Sequence, residues 1–174
     1  MINKRDRTWL LRYRKERQKN ILAEPGTHNF IVILDQLKAG FNVPKIFRSA
    51  EAFGAAAVHL INIEPFDPAP AKGSFRKVPA VFHESFATCH ELLREQGYHF
   101  FQFRADAEAP LHRVDFPVKS AFVFGHEEFG FSFDQNSYPD IQPLAIPQFG
   151  SVRCLNVSAA ATIAMYEYVR QFSR

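Results

Sequence analysis

The amino-acid sequence predicts an α/β fold built on a mostly parallel sheet covered on both faces. Three observations carry that expectation. Short apolar, β-branched runs recur along the chain, and segments with apolar residues at three- and four-residue spacing lie between them. Each run is apolar throughout instead of alternating, as a strand buried on both faces is. With 174 residues, 47% of them apolar, the chain suffices for one core and one domain. An aromatic share of 14% excludes a chain that is disordered throughout.

The elements follow in order. Residues 1–20 hold eight basic side chains (Lys4, Arg5, Arg7, Arg12, Arg14, Lys15, Arg17, Lys19) against Asp6 and Glu16. This local charge of +6, in a chain of net +3, leaves the other 154 residues at −3. Trp9, Leu10, Leu11 and Tyr13 stand among the charges, which suits a basic N-terminal helix with one side docked on the body and the other facing a polyanion. A solvated helix face is the plain alternative. The chain therefore divides into a basic extension over 1–24 and a domain over 25–174, with Glu24-Pro25-Gly26-Thr27 as the turn between them.

Residues 28–34 (HNFIVIL) form the first apolar run, and 57–63 (AVHLINI) the second. Between them, 42–53 reads as a helix, with Val43, Ile46, Phe47, Ala50 and Phe53 on one face and Gly54 ending it. The stretch 65–79 is rich in proline and is expected to be an irregular, mobile loop. An amphipathic helix over 83–96, closed by Gly97, precedes a third strand at 98–103. Residues 120–124 and 144–146 supply a fourth and a fifth strand, and a helix over 156–172 finishes the chain. No stretch approaches the roughly 20 apolar residues that span a bilayer. No apolar segment follows the basic start, so no secretory signal is expected and the cytoplasm is the expected compartment. Cys89 and Cys154 are too few for a disulfide scaffold and are expected as reduced thiols.

In open α/β sheets, ligands bind beyond the carboxyl ends of the strands, so two loops matter most. Gly125-His126-Glu127-Glu128-Phe129-Gly130 follows the fourth strand. Its glycines allow a tight turn and close backbone approach to a ligand, and Glu127 can accept hydrogen bonds. The loop has neither a dinucleotide fingerprint nor a Walker A sequence, and Gly130 stands where a zinc-protease helix needs its second histidine, so no metal is expected. By itself the loop is a weak signal and reads better as a plain β-turn. The second loop runs from Ile146 through Ser158, and Asn156 is placed to cap the last helix, whose free amides suit an adenine edge or a carboxylate. The small residues Ser158, Ala159, Ala160, Ala161 and Ala164 permit close packing of that helix on the body or on a second copy.

Together these segments resemble a known family. Asn42-x5-Arg48-x-Ala50 with Phe53-Gly54, then Phe124-Gly125-x-Glu127-x2-Gly130-x-Ser132, then Ile146-Pro147 and Leu155-Asn156-Val157-Ser158 with Tyr166-Glu167, are similar in order and placement to the three motifs of SpoU-type RNA 2′-O-ribose methyltransferases. The resemblance spans residues 42–167. It implies a C-terminal deep trefoil knot, an exception to the rule that chains do not thread loops. It also implies S-adenosylmethionine as cofactor, structured RNA as partner, and a homodimer packed through the last helix.

By the same resemblance, Arg48 lies near the target ribose and its phosphate, with Asn42 supporting it. Because a guanidinium holds its proton tightly, Arg48 suits a phosphate clamp better than a simple general base, and the base stays open. Glu127 shapes the cofactor loop and Asn156 holds the cofactor turn. Phe103, Gly125, Gly130, Ile146, Cys154 and Leu155 complete the cofactor-binding set. Arg76 and Lys77, with Arg5, Arg7 and Arg12 of the extension, are expected along the RNA. Cys154 stands where the family commonly has Ser, so a contact made there is weaker.

Two other readings compete. One is an RNA-binding module that has lost catalysis, which draws on Cys154 and is opposed by Arg48, Asn42, Glu127 and Asn156 together. The other, a small-molecule methyltransferase, leaves the basic extension without a purpose. Transfer RNA is favoured over ribosomal RNA, because a short basic extension on a compact body suits a small folded substrate.

Overall fold

A computed structural model describes residues 4–173, with side chains from Thr8 onward. Its elements are α1 (Lys4–Asn20), β1 (Phe30–Asp35), α2 (Asn42–Ala52), β2 (Ala57–Ile61), β3 (Ala80–His83), α3 (Phe86–Glu95), β4 (His99–Phe103), β5 (Ser120–Gly125), β6 (Ile141–Leu144) and α4 (Val157–Phe172). The strands form one sheet in the order β3-β2-β1-β5-β4-β6. Every pairing is parallel. The order reverses between β1 and β5, where Asp35 lies opposite Gly125. No helix among the described residues is long and apolar enough to cross a membrane.

Both faces of the sheet are covered. Phe30, Val32 and Leu34 of β1 point into a core shared with Ile46 and Phe47 of α2 and with Met165 and Tyr168 of α4. Ile31 and Ile33 point the other way, against Phe86, Cys89 and Leu93 of α3. Burying one such side chain contributes roughly 1.5–3 kcal/mol. That two-sided burial is why β1 and β5 carry continuous apolar runs. Ser85 caps α3 by accepting from the Thr88 amide (3.2 Å).

Three expectations need correction. The stretch 65–79 is not a mobile loop: it contains short 3₁₀ turns at Ala69–Ala71 and Ser74–Arg76, and it buries Phe66, Ala71, Phe75 and Val78 in the core. A sixth strand, β3, occupies positions first given partly to a helix, and α3 starts at Phe86. The edge strand after β5 is Ile141–Leu144 rather than 144–146. Its Pro143 is tolerated because β6 pairs on one side only.

The N-terminal helix docks one side on the body. Tyr13 is 3% exposed and packs against Phe75 (stacked, 5.6 Å) and Phe66 (edge-on, 5.3 Å). Asn20 Nδ2 donates to the carbonyls of Phe75 and Val78 (2.5 and 2.6 Å), while its Oδ1 accepts from the Ala80 amide (3.0 Å). The end of α1 is thereby fastened to the start of β3.

Candidate functional site

The loop after β5 is held from three sides. A Cβ at Gly125 would lie 2.6 Å from the Gly130 carbonyl oxygen, so only glycine fits there. Gly130 itself has φ +74°, and its carbonyl accepts from the His126 amide (2.6 Å) while its amide donates back to His126 (3.0 Å). Within the turn, His126 Nδ1 accepts from the amides of Glu128 and Phe129 (3.0 and 3.2 Å). These bonds close residues 125–130 into a compact turn.

Two carboxylates then fix that turn to the rest of the sheet. Asp35, fully buried at the end of β1, accepts from the Ser132 amide (2.6 Å) and the Ser132 hydroxyl (2.7 Å). Burial raises its pKa, and the Ser132 bonds oppose the rise. Glu127 Oε1 accepts from Asn42 Nδ2 at the start of α2 (2.7 Å), and Oε2 accepts from the Lys38 amide (3.3 Å). Lys38 Nζ also pairs with Glu128 (2.8 Å), which lowers the Glu128 pKa. Asn42 therefore acts on the site through Glu127.

The second loop leads into α4. Asn156 is its N-cap: Oδ1 accepts from the Ser158 amide (2.9 Å) and hydroxyl (2.6 Å). One turn on, the Thr162 and Ser49 hydroxyls lie 2.7 Å apart and join α4 to α2.

Between these loops and the carboxyl ends of β4, β5 and β6 lies a cavity of about 460 Å³. Phe103, Phe124, Leu144 and Ile146 give it apolar walls, and Gly125 with Glu127 forms one rim. Cys154, Leu155, Asn156 and Val157 form another. Gln148 also lines it, and its side-chain oxygen is buried with no hydrogen-bond partner among the described residues. A buried amide oxygen left unpaired is costly, so this one is suited to a donor that arrives with a ligand.

The structure thus gathers Phe103, Gly125, Glu127, Ile146, Cys154, Leu155 and Asn156 around one cavity. Gly130 closes the turn behind it, and Asn42 reaches it only through Glu127. Arg48 is not in the lining. It stands exposed on α2 and has no hydrogen bond or ion pair among the described residues. Of the cations expected along RNA, Arg12 pairs with Asp67 (3.2 Å), Arg76 with Glu16 (3.8 Å) and Lys77 with Glu51 (2.9 Å). The side chains of Arg5 and Arg7 lie outside the described residues.

Sequence reasoning missed Gln148, Arg104 and Asp35. Gln148 sits two residues beyond Ile146, inside a loop already singled out. Arg104 follows β4 directly and lines the cavity, where Asp106 holds it through two bonds (2.9 and 2.8 Å). Asp35 is a lone carboxylate ending an apolar strand, which was its only signal.

Comparison with known proteins places this geometry. The SpoU rRNA Methylase family profile matches residues 29–166. A 23S rRNA (guanosine-2′-O-)-methyltransferase of Xylella fastidiosa is 27% identical over 158 residues, covering 88% of this chain and 63% of its own length. A tRNA (guanosine(18)-2′-O)-methyltransferase of Thermus thermophilus is 29% identical over 146 residues, covering 80% and 74%. The chain spans only 39% of a Synechocystis relative that is 30% identical over 151 residues.

Among solved structures, one described by the 2-OH methylation of C/U34 on tRNA superposes with a TM-score of 0.72 at 30% identity, over 85% of this chain and 99% of that one. The SpoU methyltransferase AviRb of Streptomyces viridochromogenes, solved in complex with AdoMet, shares the fold (TM-score 0.74, 24% identity, 84% and 58% covered). The parallel sheet, the ordered motifs and the extent of the profile match agree, and the chain belongs to the SpoU rRNA Methylase family.

Proposed function

We propose that this protein methylates a ribose 2′-hydroxyl of structured RNA, using S-adenosylmethionine held in the cavity between β4, β5, β6 and α4. The observation that carries the reading is the cavity itself. Three segments distant in sequence converge on it, its walls are apolar, and one buried amide oxygen of Gln148 is left without a donor.

These residues fit the cofactor. Phe103, Leu144 and Ile146 offer flat apolar surface to an adenosine, Gln148 offers an acceptor to an amine, and the rim at Leu155 and Asn156 offers backbone groups. Bound there, S-adenosylmethionine supplies an electrophilic methyl group. Glu127, fixed by Asn42 and the Lys38 amide, shapes the rim and keeps it rigid. Arg48 is exposed and without a partner among the described residues, and its planar five-donor fork suits an RNA phosphate beside the target ribose. Holding the nucleotide in this way accelerates transfer by orientation alone.

Transfer RNA is the substrate we favour. The tRNA-methylating structure is matched over 99% of its length, whereas the ribosomal enzyme of Xylella fastidiosa is matched over 63%. The family resemblance supports a trefoil knot formed by the segment leading into α4. It also supports a dimer through that helix, whose Ile163 and Tyr166 are exposed beside its run of small residues. The soluble, cytoplasmic location expected from the sequence belongs to the same reading.

Calorimetric titration with S-adenosylmethionine, followed by tritium-methyl transfer to bulk transfer and ribosomal RNA, tests the proposal. Cofactor binding with label recovered in 2′-O-methylnucleosides of transfer RNA is expected. Binding without transfer would favour the inactive RNA-binding module, and label in ribosomal RNA alone would overturn the substrate.

A further inference from the structure

On the sheet face covered by α3, away from the cofactor cavity, three metal-ligating atoms converge. His59 lies in the middle of β2, His83 ends β3, and Cys89 sits on α3. His59 Nδ1 and His83 Nε2 are 2.8 Å apart, Cys89 Sγ is 3.6 Å from the same His59 nitrogen, and all three atoms lie within 4.8 Å of one another. His59 and Cys89 are buried, and His83 is half-buried at the sheet edge.

Hydrogen bonding alone engages the Cys89 sulfur only weakly. His59 Nδ1 offers either one proton or one lone pair, yet it faces both His83 and Cys89. If it donates to His83, it has no lone pair for the Cys89 thiol. If it accepts, two donors compete for that lone pair. A cation at the centre satisfies all three donor atoms at once.

We infer that His59, His83 and Cys89 form a binding site for one divalent transition-metal ion of the zinc type. One thiolate and two imidazole nitrogens are the donor set that zinc favours over magnesium or calcium. Bonds of about 2.0–2.1 Å to nitrogen and about 2.3 Å to sulfur, at tetrahedral angles, set a sulfur–nitrogen edge near 3.6 Å and a nitrogen–nitrogen edge near 3.4 Å. The first matches the Cys89–His59 distance, while the Cys89–His83 edge lies within 4.8 Å. The second requires the two imidazoles to part by about half an ångström, which His83 can supply because it stands on the edge strand with its outer side toward solvent.

Cys89 must bind as a thiolate and the two histidines as neutral imidazoles, so loading the site releases the thiol proton. That proton goes to solvent as the aqueous ion sheds waters, and one coordination position stays open for water. No paired spacing in the sequence announces these ligands. The ion would clip the β2–β3 edge to α3, a structural part separate from the methyl-transfer site.

The test uses the untagged full chain, freed of metal with a chelator and kept reduced. Cobalt(II) is expected to bind at one equivalent, with the visible absorption of a tetrahedral site and a thiolate-to-cobalt charge-transfer band, and zinc should displace it. The charge-transfer band should vanish in Cys89→Ser and persist in Cys154→Ser. His83→Gln should weaken affinity by at least about tenfold, since losing a ligand costs no less than losing an outer-shell partner. Zinc should raise the melting temperature of the natural chain and leave that of Cys89→Ser unchanged.

If Cys89→Ser does not fold, X-ray absorption of the zinc-loaded natural chain decides, with one sulfur and two imidazole nitrogens expected. Absence of stoichiometric binding, a band that follows Cys154 instead of Cys89, or a zinc shell without sulfur would each overturn the proposal and leave a hydrogen-bonded Cys–His–His chain.

Discussion

Asn42 and Arg48 lie on the same helix, six residues apart, and their surroundings give them different work. Asn42 is committed to Glu127, whereas Arg48 has no partner among the described residues. Arg48→Ala should therefore lower methyl transfer by about 100-fold or more through lost positioning of the nucleotide, while cofactor affinity stays within a few-fold. Equal loss of cofactor binding in calorimetry would remove Arg48 from the RNA-facing role. Asp35 offers a separate test through pH. Its folded-state pKa is raised, so the native state holds its proton more tightly than the unfolded chain does. Its contribution to stability is then full below the unfolded pKa and is lost as pH rises through the folded value. Ser132→Ala removes one donor to the carboxylate, raises that pKa further and should destabilise the protein by about 2 kcal/mol near neutrality. Denaturation across pH should show the difference from the natural chain shrinking toward acid, and a constant difference would contradict it. Gly125, Glu127 and Gly130 were legible because they are neighbours in sequence. Asp35 and Ser132 stand 97 positions apart, so only the fold could pair them.

Strands buried on both faces announced themselves, and edge strands did not. β1 and β5 are apolar from end to end, whereas β3 is four residues of intermediate exposure after a proline, and β6 carries Pro143. Neither edge has the continuous apolar run that marks an inner strand. The stretch 65–79 misled for a related reason. Its prolines do forbid a long helix or strand, but Phe66 and Phe75 are anchored by Tyr13 and Phe47, partners that no local pattern reveals. Helix ends were read better, because caps are local. Asn156 caps α4 as its position suggested, and it also lines the cavity. Asn156→Ala should cost about 1 kcal/mol of stability through the lost cap and weaken S-adenosylmethionine binding several-fold. An unchanged dissociation constant together with an unchanged melting temperature would count against both roles.

Charge is divided unevenly over the molecule, and the division bears on how the proposed RNA substrate would approach it. Residues 1–20 carry +6 while the remainder carries −3. Within α1 the cations are not equivalent. Arg12 is paired with Asp67, Arg17 lies over the Phe82 ring (4.1 Å), and Lys19 is near Glu16 (3.8 Å). Arg14 and Lys15 are exposed and have no partner among the described residues, so they are the cations freest to meet phosphate. Deleting the segment is a poor test of that idea, because losing Tyr13 alone empties a core position at a cost of about 3–5 kcal/mol. Neutralising Arg14 and Lys15 to Gln leaves Tyr13 and Asn20 in place. If both cations touch phosphate, the logarithmic salt dependence of RNA binding should flatten by about 0.7 per contact on single strands and about 0.9 on a B-form duplex, with folded RNA comparable. Affinity should fall at low salt and converge with that of the natural chain at high salt. Melting temperature and S-adenosylmethionine affinity should stay as they were. A stable double variant with an unaltered slope would confine α1 to packing and leave Arg48 with the surface around it as the RNA-binding face.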